Sequence, residues 1–169
     1  MPEFGPDGRI YPGTCRHRSL SQARPGDALR LDMRKAVKAL QKPVTYEEFG
    51  EQHSKRITLK AEALIAQVGD VVLRRKDQGA AYHLAVVIDD DAQNITDVVR
   101  GADLNAATQI HVVLQRLLNI PTPRYHHHSL IRDETGKRLA KRSDSEALSS
   151  LRKAGHSAQD ITERLFSAP

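Results

Sequence analysis

The chain has 169 residues, of which 39% are hydrophobic and 28% charged, and its net charge is +5 at pH 7. These values predict one soluble globular domain with a substantial core and exclude a chain that is disordered throughout. A single cysteine, Cys15, cannot close an intramolecular disulfide, and no apolar run approaches the roughly 20 residues of a membrane helix. We therefore predict a cytoplasmic protein without a membrane anchor. The basic charge favours a polyanionic partner, with a merely basic cytosolic protein as an even alternative.

The first part of the chain predicts a loop followed by short elements. Residues 1–27 are rich in Gly, Pro, Ser and Arg and show almost no apolar periodicity, which is typical of loop. A strand-like run follows at 28–31, and helical spacing of apolar residues predicts a helix over 33–40. β-Branched and aromatic residues at 44–49 and 56–59 favour a peripheral hairpin.

The middle of the chain alternates between the two kinds of element. The sequence predicts a strand at 71–75, then an apolar stretch at 81–88 that the three aspartates at 89–91 end. A short buried strand at 97–101 is followed by a helix over 105–118, whose apolar residues share one face. This alternation predicts an α/β layer with a partly parallel sheet.

The last part of the chain predicts an extended segment, a loop and two helices. Residues 121–131 are bounded by prolines and extended, and residues 133–144 are polar and basic, as in a mobile loop. One helix is predicted from about residue 144, after a cap at Ser143 or Asp144, to Gly155. A second helix opens with a capping box formed by Ser157 and Asp160.

Five stretches in a fixed order carry a family resemblance: GDVVLRR, AYHLAVVIDD, ITDVVRGADL, LLNIPTPRY and GKRLAKR. Together they resemble the second half of a class I glutamyl-tRNA-synthetase catalytic domain, in particular the glutamyl-queuosine tRNA(Asp) branch of that family. The resemblance is strong over 69–142 and implies a Rossmann-like α/β fold with a short C-terminal helical appendage. We predict three regions: a loop-rich remnant of a zinc-binding region at 1–27, the second half of the catalytic domain at 28–142, and C-terminal helices at 143–169.

The resemblance implies a glutamate pocket. Tyr82 stands in the family's xYxxA stretch and Arg100 in its VxRG stretch, and a guanidinium fork matches a carboxylate. Asp103 is a weaker candidate for binding glutamate or a diol. Without the resemblance, the favoured interpretations are a half-buried aromatic for Tyr82, a surface ion-pair partner for Arg100 and a helix N-cap for Asp103.

The resemblance also implies an ATP site. The segment RLAKR at 138–142 occupies the place of the KMSKS loop, whose lysines bind the ATP phosphates. Lys141 matches the second lysine, whereas Arg138 replaces the first and Ala140 replaces the serine. We predict ATP and Mg as cofactors, with Lys141 catalytic and both cations binding ATP. Taken alone, such a run is more often a solvated basic loop.

Two features invite a metal hypothesis. Tyr11 and Cys15 match a YxxxC pair that supplies two of four zinc ligands in the glutamyl-queuosine branch, but the CxC pair that supplies the others is not in this sequence. Structural zinc takes four ligands, so we predict a partial zinc site that is empty in this chain. In the run 126–128, alternate side chains of an extended segment face opposite ways, which favours a strand beside the nucleotide site over a metal site.

The function implied by the resemblance is ATP-dependent activation of L-glutamate and its transfer to queuosine in the anticodon of tRNA(Asp). The HIGH-type motif with which the family's catalytic domain begins is not in this sequence, so activity of this chain alone stays open. The alternatives are a fragment of an ordinary glutamyl-tRNA synthetase and a non-catalytic remnant that binds tRNA. An unpaired sheet edge would favour self-association.

Overall fold

The computed structural model describes residues 3–50, 54–76, 79–132, 136 and 147–167. The chain divides into two compact units, 1–128 and 129–169. The strands described in the first unit are, in chain order, β1 (Phe4–Gly5), β2 (Gly8–Arg9), β3 (Leu29–Leu31), β4 (Val44–Phe49), β5 (Ser54–Leu59), β6 (Val71–Arg75), β7 (Gly79–Ala80), β8 (Asp97–Gly101) and β9 (Arg124–His128). Its helices are α1 (Met33–Ala39), α2 (Ala61–Ala63, continued by a π-helical turn over Leu64–Val68), α3 (Tyr82–Ala92) and α4 (Asn105–Leu118).

The first unit contains a four-stranded sheet of order β5–β4–β9–β8. β4 and β5 form an antiparallel hairpin in register from Val44 opposite Leu59 to Phe49 opposite Ser54. β9 runs parallel to both of its neighbours, β4 and β8. The predicted hairpin and the predicted partly parallel α/β sheet are therefore both confirmed. β8 and β5 form the two edges of this sheet.

Helix α4 connects the parallel strands β8 and β9 and supplies the centre of the core. Its bounds match the prediction, and it ends at Asn119, which adopts the left-handed conformation with φ of 57°. The buried apolar side chains of the core are Met33, Ala36, Val44, Tyr46, Leu64, Val68, Val71, Val87, Ile110, Val112, Val113, Leu114 and Tyr125. The hydroxyl of Tyr125 accepts a 2.9 Å hydrogen bond from Gln115, so this buried phenol is not left unpaired.

A second sheet has the order β3–β6–β7. Asp70, directly before β6, is 6% exposed. Its Oδ2 accepts hydrogen bonds from Nε and Nη2 of Arg16 at 3.0 and 2.8 Å, and its Oδ1 accepts one from the backbone N–H of Met33 at 3.0 Å. One carboxylate thus connects β6, the start of α1 and the loop that contains Arg16.

Helix α3 differs from the prediction. The three aspartates at 89–91 do not end the apolar stretch, because the helix runs through them to Ala92. Asp89 and Asp91 are exposed, so their charges stay hydrated on the outer face of the helix. Asp90 is partly buried, and desolvation raises the pKa of its carboxyl. The helix ends at Ala92 with Gln93 as its C-cap, and the next residue, Asn94, adopts a φ of 55°.

The second unit contains two described helices, α5 (Leu148–Lys153) and α6 (Ala158–Ser167). Ala147 has extended backbone angles, so α5 begins at Leu148, and the predicted start near residue 144 is wrong. An extended residue directly before Leu148 cannot belong to a helical turn that began earlier. The predicted division of the chain at residues 27 and 142 stays a prediction.

The ends of these helices follow the predicted signals. Gly155, with φ of 92°, follows α5, and the N–H of His156 bonds to the carbonyl of Leu151 at 3.1 Å, as predicted for a glycine-terminated helix. At the start of α6, the N–H of Asp160 donates to Ser157 Oγ and the N–H of Ser157 donates to Asp160 Oδ2, at 3.1 and 2.7 Å. The predicted capping box is confirmed.

Across the part of the chain that the structure describes, the helices are too short or too polar to cross a bilayer.

The contribution of the Asp70 carboxylate to the fold can be tested by measuring the free energy of unfolding. We expect Asp70→Ala to lower the free energy of unfolding by about 2–4 kcal/mol, because it leaves the Arg16 guanidinium and the Met33 N–H without their acceptor. Urea unfolding measures this. Asp32→Ala is the matched control, since Asp32 also accepts one N–H of the first turn of α1, that of Lys35 at 3.1 Å, and should cost only about 1 kcal/mol. Equal losses from both variants would contradict the special role of Asp70.

Candidate functional site

The candidate site is built around the guanidinium of Arg100, near the carboxyl end of β8. The side chain is partly buried and lies over the ring of Tyr125, with 5.3 Å between Cζ and the ring centroid. Its Nε donates to Nε2 of His127 at 3.2 Å, its Nη1 to Nδ1 of His111 at 3.2 Å, and its Nη2 to Oγ1 of Thr108 at 2.7 Å. Each of the three nitrogens therefore has an acceptor.

One of these acceptors leads to a carboxylate through a pair of buried histidines. His111 and His83 are 2% and 8% exposed, and Nε2 of His111 lies 2.9 Å from Nδ1 of His83. The Nε2 of His83 in turn lies 3.4 Å from Oδ1 of Asp7. Burial raises the pKa of Asp7, but the hydrogen bonds from His83 and from the N–H of Val72 outweigh it, so the net pKa is lowered.

A second acceptor leads to a carboxylate directly. The Nδ1 of His127 lies 2.8 and 3.0 Å from the two oxygens of Glu48 on β4, and the backbone N–H of His127 donates to the same carboxylate at 3.1 Å. The ring of His127 stacks on Tyr125 with an interplanar angle of 3°. The hydroxyl of Thr108 lies 3.1 Å from Nε2 of His127, which joins two of the Arg100 acceptors to each other.

The electrostatics of the site keep His111 uncharged. Desolvation, followed by the positive charge of Arg100 and the proximity of His83, lowers the pKa of His111 to about 3. A neutral imidazole has one nitrogen without a proton, which can accept a hydrogen bond from a guanidinium.

The predicted substrate residues Tyr82 and Arg100 meet at His111. Tyr82 is the first residue of α3 and is 56% exposed, more than a half-buried aromatic would be. Its ring centroid lies 6.1 Å from that of His111, the histidine that accepts from Arg100. In the described part of the chain, Arg100 forms no ion pair, unlike an ordinary surface arginine. Their roles toward a substrate stay predictions.

The other predicted residues are placed less centrally. Asp103 is exposed and lies in a single 3-10 turn, Ala102–Leu104, directly after β8. The N-cap of α4 is Leu104, so the alternative interpretation of Asp103 as that helix's N-cap is wrong, because the 3-10 turn leads directly into the helix. Arg138 and Lys141, predicted to bind ATP, lie outside the described residues.

Tyr11 and Cys15 come together as the YxxxC spacing requires, with the N–H of Cys15 donating to the Tyr11 hydroxyl at 2.6 Å. This pair offers one sulfur and one phenolic oxygen, whereas structural zinc takes four ligands, mostly nitrogen and sulfur. Among the residues described, no three His, Cys, Asp or Glu side chains group as a metal site. The donor set of Tyr11 and Cys15 therefore does not fit a structural zinc.

The three consecutive histidines are the last residues of the predicted strand, β9. Their side chains alternate between the two faces of the strand. His127 faces Arg100 and Glu48, whereas Nδ1 of His126 lies 2.6 Å from the backbone carbonyl of Phe49. The sequence indicated the alternation but not which histidine would reach the site. It also missed His83, His111 and Thr108, which read as ordinary members of their helices, since only the fold brings them to Arg100.

The fold is that of a class I tRNA synthetase catalytic domain. The family model for the catalytic domain of class I tRNA synthetases (E and Q) matches residues 28–166, and this chain belongs to that family. The predicted fold class, part of a class I synthetase catalytic domain, is confirmed.

Within this family, similar curated relatives include glutamyl-Q tRNA(Asp) synthetases, and the predicted resemblance to them is confirmed. The protein of that name from Rhodobacter capsulatus is 51% identical over 161 residues, which are 94% of this chain and 56% of the relative. The one from Xanthomonas axonopodis pv. citri is 59% identical over 83 residues, which are 49% of this chain and 28% of the relative. The chain thus spans about half or less of the curated relatives it matches.

Among solved structures, the glutamate-tRNA synthetase from Elizabethkingia anophelis aligns with a TM-score of 0.47 and 25% identity. The alignment covers 68% of this chain and 21% of the chain of that synthetase.

The neutral state of His111 predicts a loss of stability in acid. In the unfolded chain a histidine has a pKa near 6.5, whereas His111 in the folded chain has a pKa of about 3. Between these values the unfolded chain binds the extra proton. The contribution of this group to stability is therefore complete above about pH 6.5 and falls toward pH 3, by at most about 1.4 kcal/mol per pH unit.

We expect His111→Asn to flatten this pH dependence, because an amide does not titrate there. Urea unfolding of both proteins between about pH 7.5 and about pH 4 measures it. His17→Asn is the control, since it makes the same substitution at an exposed histidine outside the Arg100 site. Identical curves for wild type and His111→Asn would show the prediction to be wrong.

Proposed function

We propose that this chain forms the glutamate-binding and phosphate-binding part of a synthetase that activates L-glutamate with ATP. The observation that carries the proposal is the fork of Arg100, a partly buried guanidinium oriented by three uncharged acceptors. These bonds use one N–H of each nitrogen, so one N–H remains on each Nη for a carboxylate. This arrangement suits a binding pocket for an amino-acid carboxylate.

In the proposed reaction, Arg100 binds a carboxylate of glutamate, and the phenol of Tyr82 hydrogen-bonds the bound amino acid. Mg-ATP supplies the α-phosphorus that glutamate's α-carboxylate attacks, with glutamyl-adenylate and pyrophosphate as products. Lys141 and Arg138 neutralise the phosphate charge that develops during this attack. Holding both reactants in line is the main contribution of these residues.

We further propose that the activated glutamyl group is transferred to queuosine in the anticodon of tRNA(Asp), in the cytoplasm. The names of the curated relatives support this acceptor. The net charge of +5 is favourable for binding a polyanion. Asp103, exposed after β8, is the side chain we place nearest the acceptor diol, since ligands of such sheets bind beyond the carboxyl ends of the strands.

Glutamate-dependent ATP–pyrophosphate exchange tests the activation step. The assay is run on this chain and on a chimera in which it replaces the matching segment of the Rhodobacter capsulatus relative. We expect exchange in the chimera, and a loss of about 100-fold or more in kcat/KM for Arg100→Lys, because an ammonium cannot make the three bonds and still offer a fork. Tyr82→Phe should cost about tenfold, from the loss of one hydrogen bond.

Two control variants accompany the exchange assay. Lys141→Ala should reduce exchange through the ATP site without raising the KM for glutamate, in contrast to Arg100→Lys. Arg24→Lys changes an exposed arginine distant in sequence from these motifs and should leave exchange unaltered. If the chimera does not catalyse exchange but binds tRNA in a salt-sensitive way, the non-catalytic alternative is correct.

The acceptor is tested with radiolabelled glutamate and two preparations of tRNA(Asp), one with queuosine and one with unmodified guanosine at that position. We expect labelling by the chimera only of the queuosine form, because the guanosine lacks the cyclopentene diol. Labelling of the 3′ end of tRNA(Glu) instead would show an ordinary glutamyl-tRNA synthetase.

A further inference from the structure

Hydrogen-bonded imidazoles link Arg100 to two carboxylates, and a third, that of Asp90, interacts with its charge at longer range. Among the described residues, Arg100 forms no direct ion pair. Glu48 is separated from the guanidinium by one imidazole, that of His127, and Asp7 by two, those of His111 and His83. Within the described residues, every group that accepts from Arg100 is uncharged. The use of neutral acceptors needs an explanation, because a guanidinium ordinarily forms a direct ion pair with a carboxylate.

The positions of the protons follow from the donors. A guanidinium can only donate, so Nδ1 of His111 accepts from Arg100 and the proton of that imidazole lies on Nε2. This Nε2–H donates to Nδ1 of His83, whose own proton then lies on Nε2 and points toward Asp7. The low pKa of His111 agrees with this neutral state.

The same reasoning gives His127 the opposite tautomer. Its Nε2 accepts from Nε of Arg100 and from the Thr108 hydroxyl, so its proton lies on Nδ1 and is donated to Glu48. Two series of hydrogen bonds therefore lead away from Arg100 and end on a carboxylate. One passes through His111 and His83 to Asp7, and the other passes through His127 to Glu48. A carboxylate at the far side makes an imidazole a better acceptor and fixes its tautomer and ring orientation.

We propose that His111, His83 and His127 are positioning residues that orient the Arg100 guanidinium through neutral acceptors, and thereby keep its positive charge available for the carboxylate of the bound amino acid. This inference rests on the proposed function, because it assigns the charge to glutamate. A carboxylate placed directly on Arg100 would orient the fork equally well, but it would neutralise the charge and compete with the ligand.

An isosteric pair of variants separates charge from shape. In the chimera described above, His111→Asn keeps a neutral acceptor near the position of Nδ1, and His111→Asp places a carboxylate there. We expect the KM for glutamate to be about tenfold higher or more in His111→Asp than in His111→Asn, with the KM for ATP equal within about twofold. A residue that acts only through packing would shift both constants alike, or neither.

The tautomers provide a measurement that does not depend on enzymatic activity. Long-range ¹H–¹⁵N correlation spectra of the 169-residue chain at neutral pH should show protonated Nε2 and unprotonated Nδ1 for His111 and His83, and the reverse for His127. Assignment uses the loss of one ring's signals in each His→Asn variant.

The outcomes are distinct. Equal KM values for glutamate in the two His111 variants overturn the proposal, and so does a doubly protonated or Nδ1-protonated His111 in the spectra. If the unmutated chimera lacks exchange activity, the proposed function fails, and the spectra then decide the positioning by themselves. The predicted tautomers together with a glutamate-specific difference between the variants establish it.

Discussion

The structure around Arg100 follows from one constraint: a positive charge withdrawn partly from water must find acceptors for its hydrogens. Arg100 finds them on two elements, because Thr108 and His111 belong to α4 and His127 belongs to β9. Those acceptors are fixed in turn by α3 and β4, which contribute His83 and Glu48. The guanidinium therefore connects the elements of the parallel part of the sheet, and the polar groups that satisfy it are buried by the same packing that forms the core.

The position of this site agrees with a general property of α/β sheets. Arg100 and His127 lie directly opposite each other on adjacent parallel strands, one residue before the last in each. Ligands of such sheets bind beyond the carboxyl ends of the strands, where the loops leave a crevice. Tyr82, at the start of α3, presents its exposed ring to the same region through its contact with His111. The strands of the sheet thus fix the positions of Arg100 and His127, while the start of α3 places Tyr82 where a ligand can reach it.

Sequence patterns predicted the elements well where one physical signal dominated. The hairpin of β4 and β5 and the full length of α4 followed from β-branched residues and from a sustained apolar face. The course of α3 did not, because three consecutive aspartates resemble a stop in sequence, whereas the helix continues through them with Asp89 and Asp91 exposed and Asp90 partly buried. Arg100 was found only through the family resemblance. Its partners could not be found from sequence, since His83 and His111 are 28 residues apart and meet only through helix packing.

The separation of these partners along the chain has a kinetic consequence. The unit β8–α4–β9 brings Arg100, His111 and His127 together by local connections, so we expect it to form early in folding. The carboxylates that complete the site join later, because Glu48 is 79 residues from His127 and Asp7 reaches β6 across 65 residues. Arg100 is thus oriented only once these distant segments have docked. The order of the site should therefore be lost in an early sub-global opening of the chain, while the parallel strands around it are still paired.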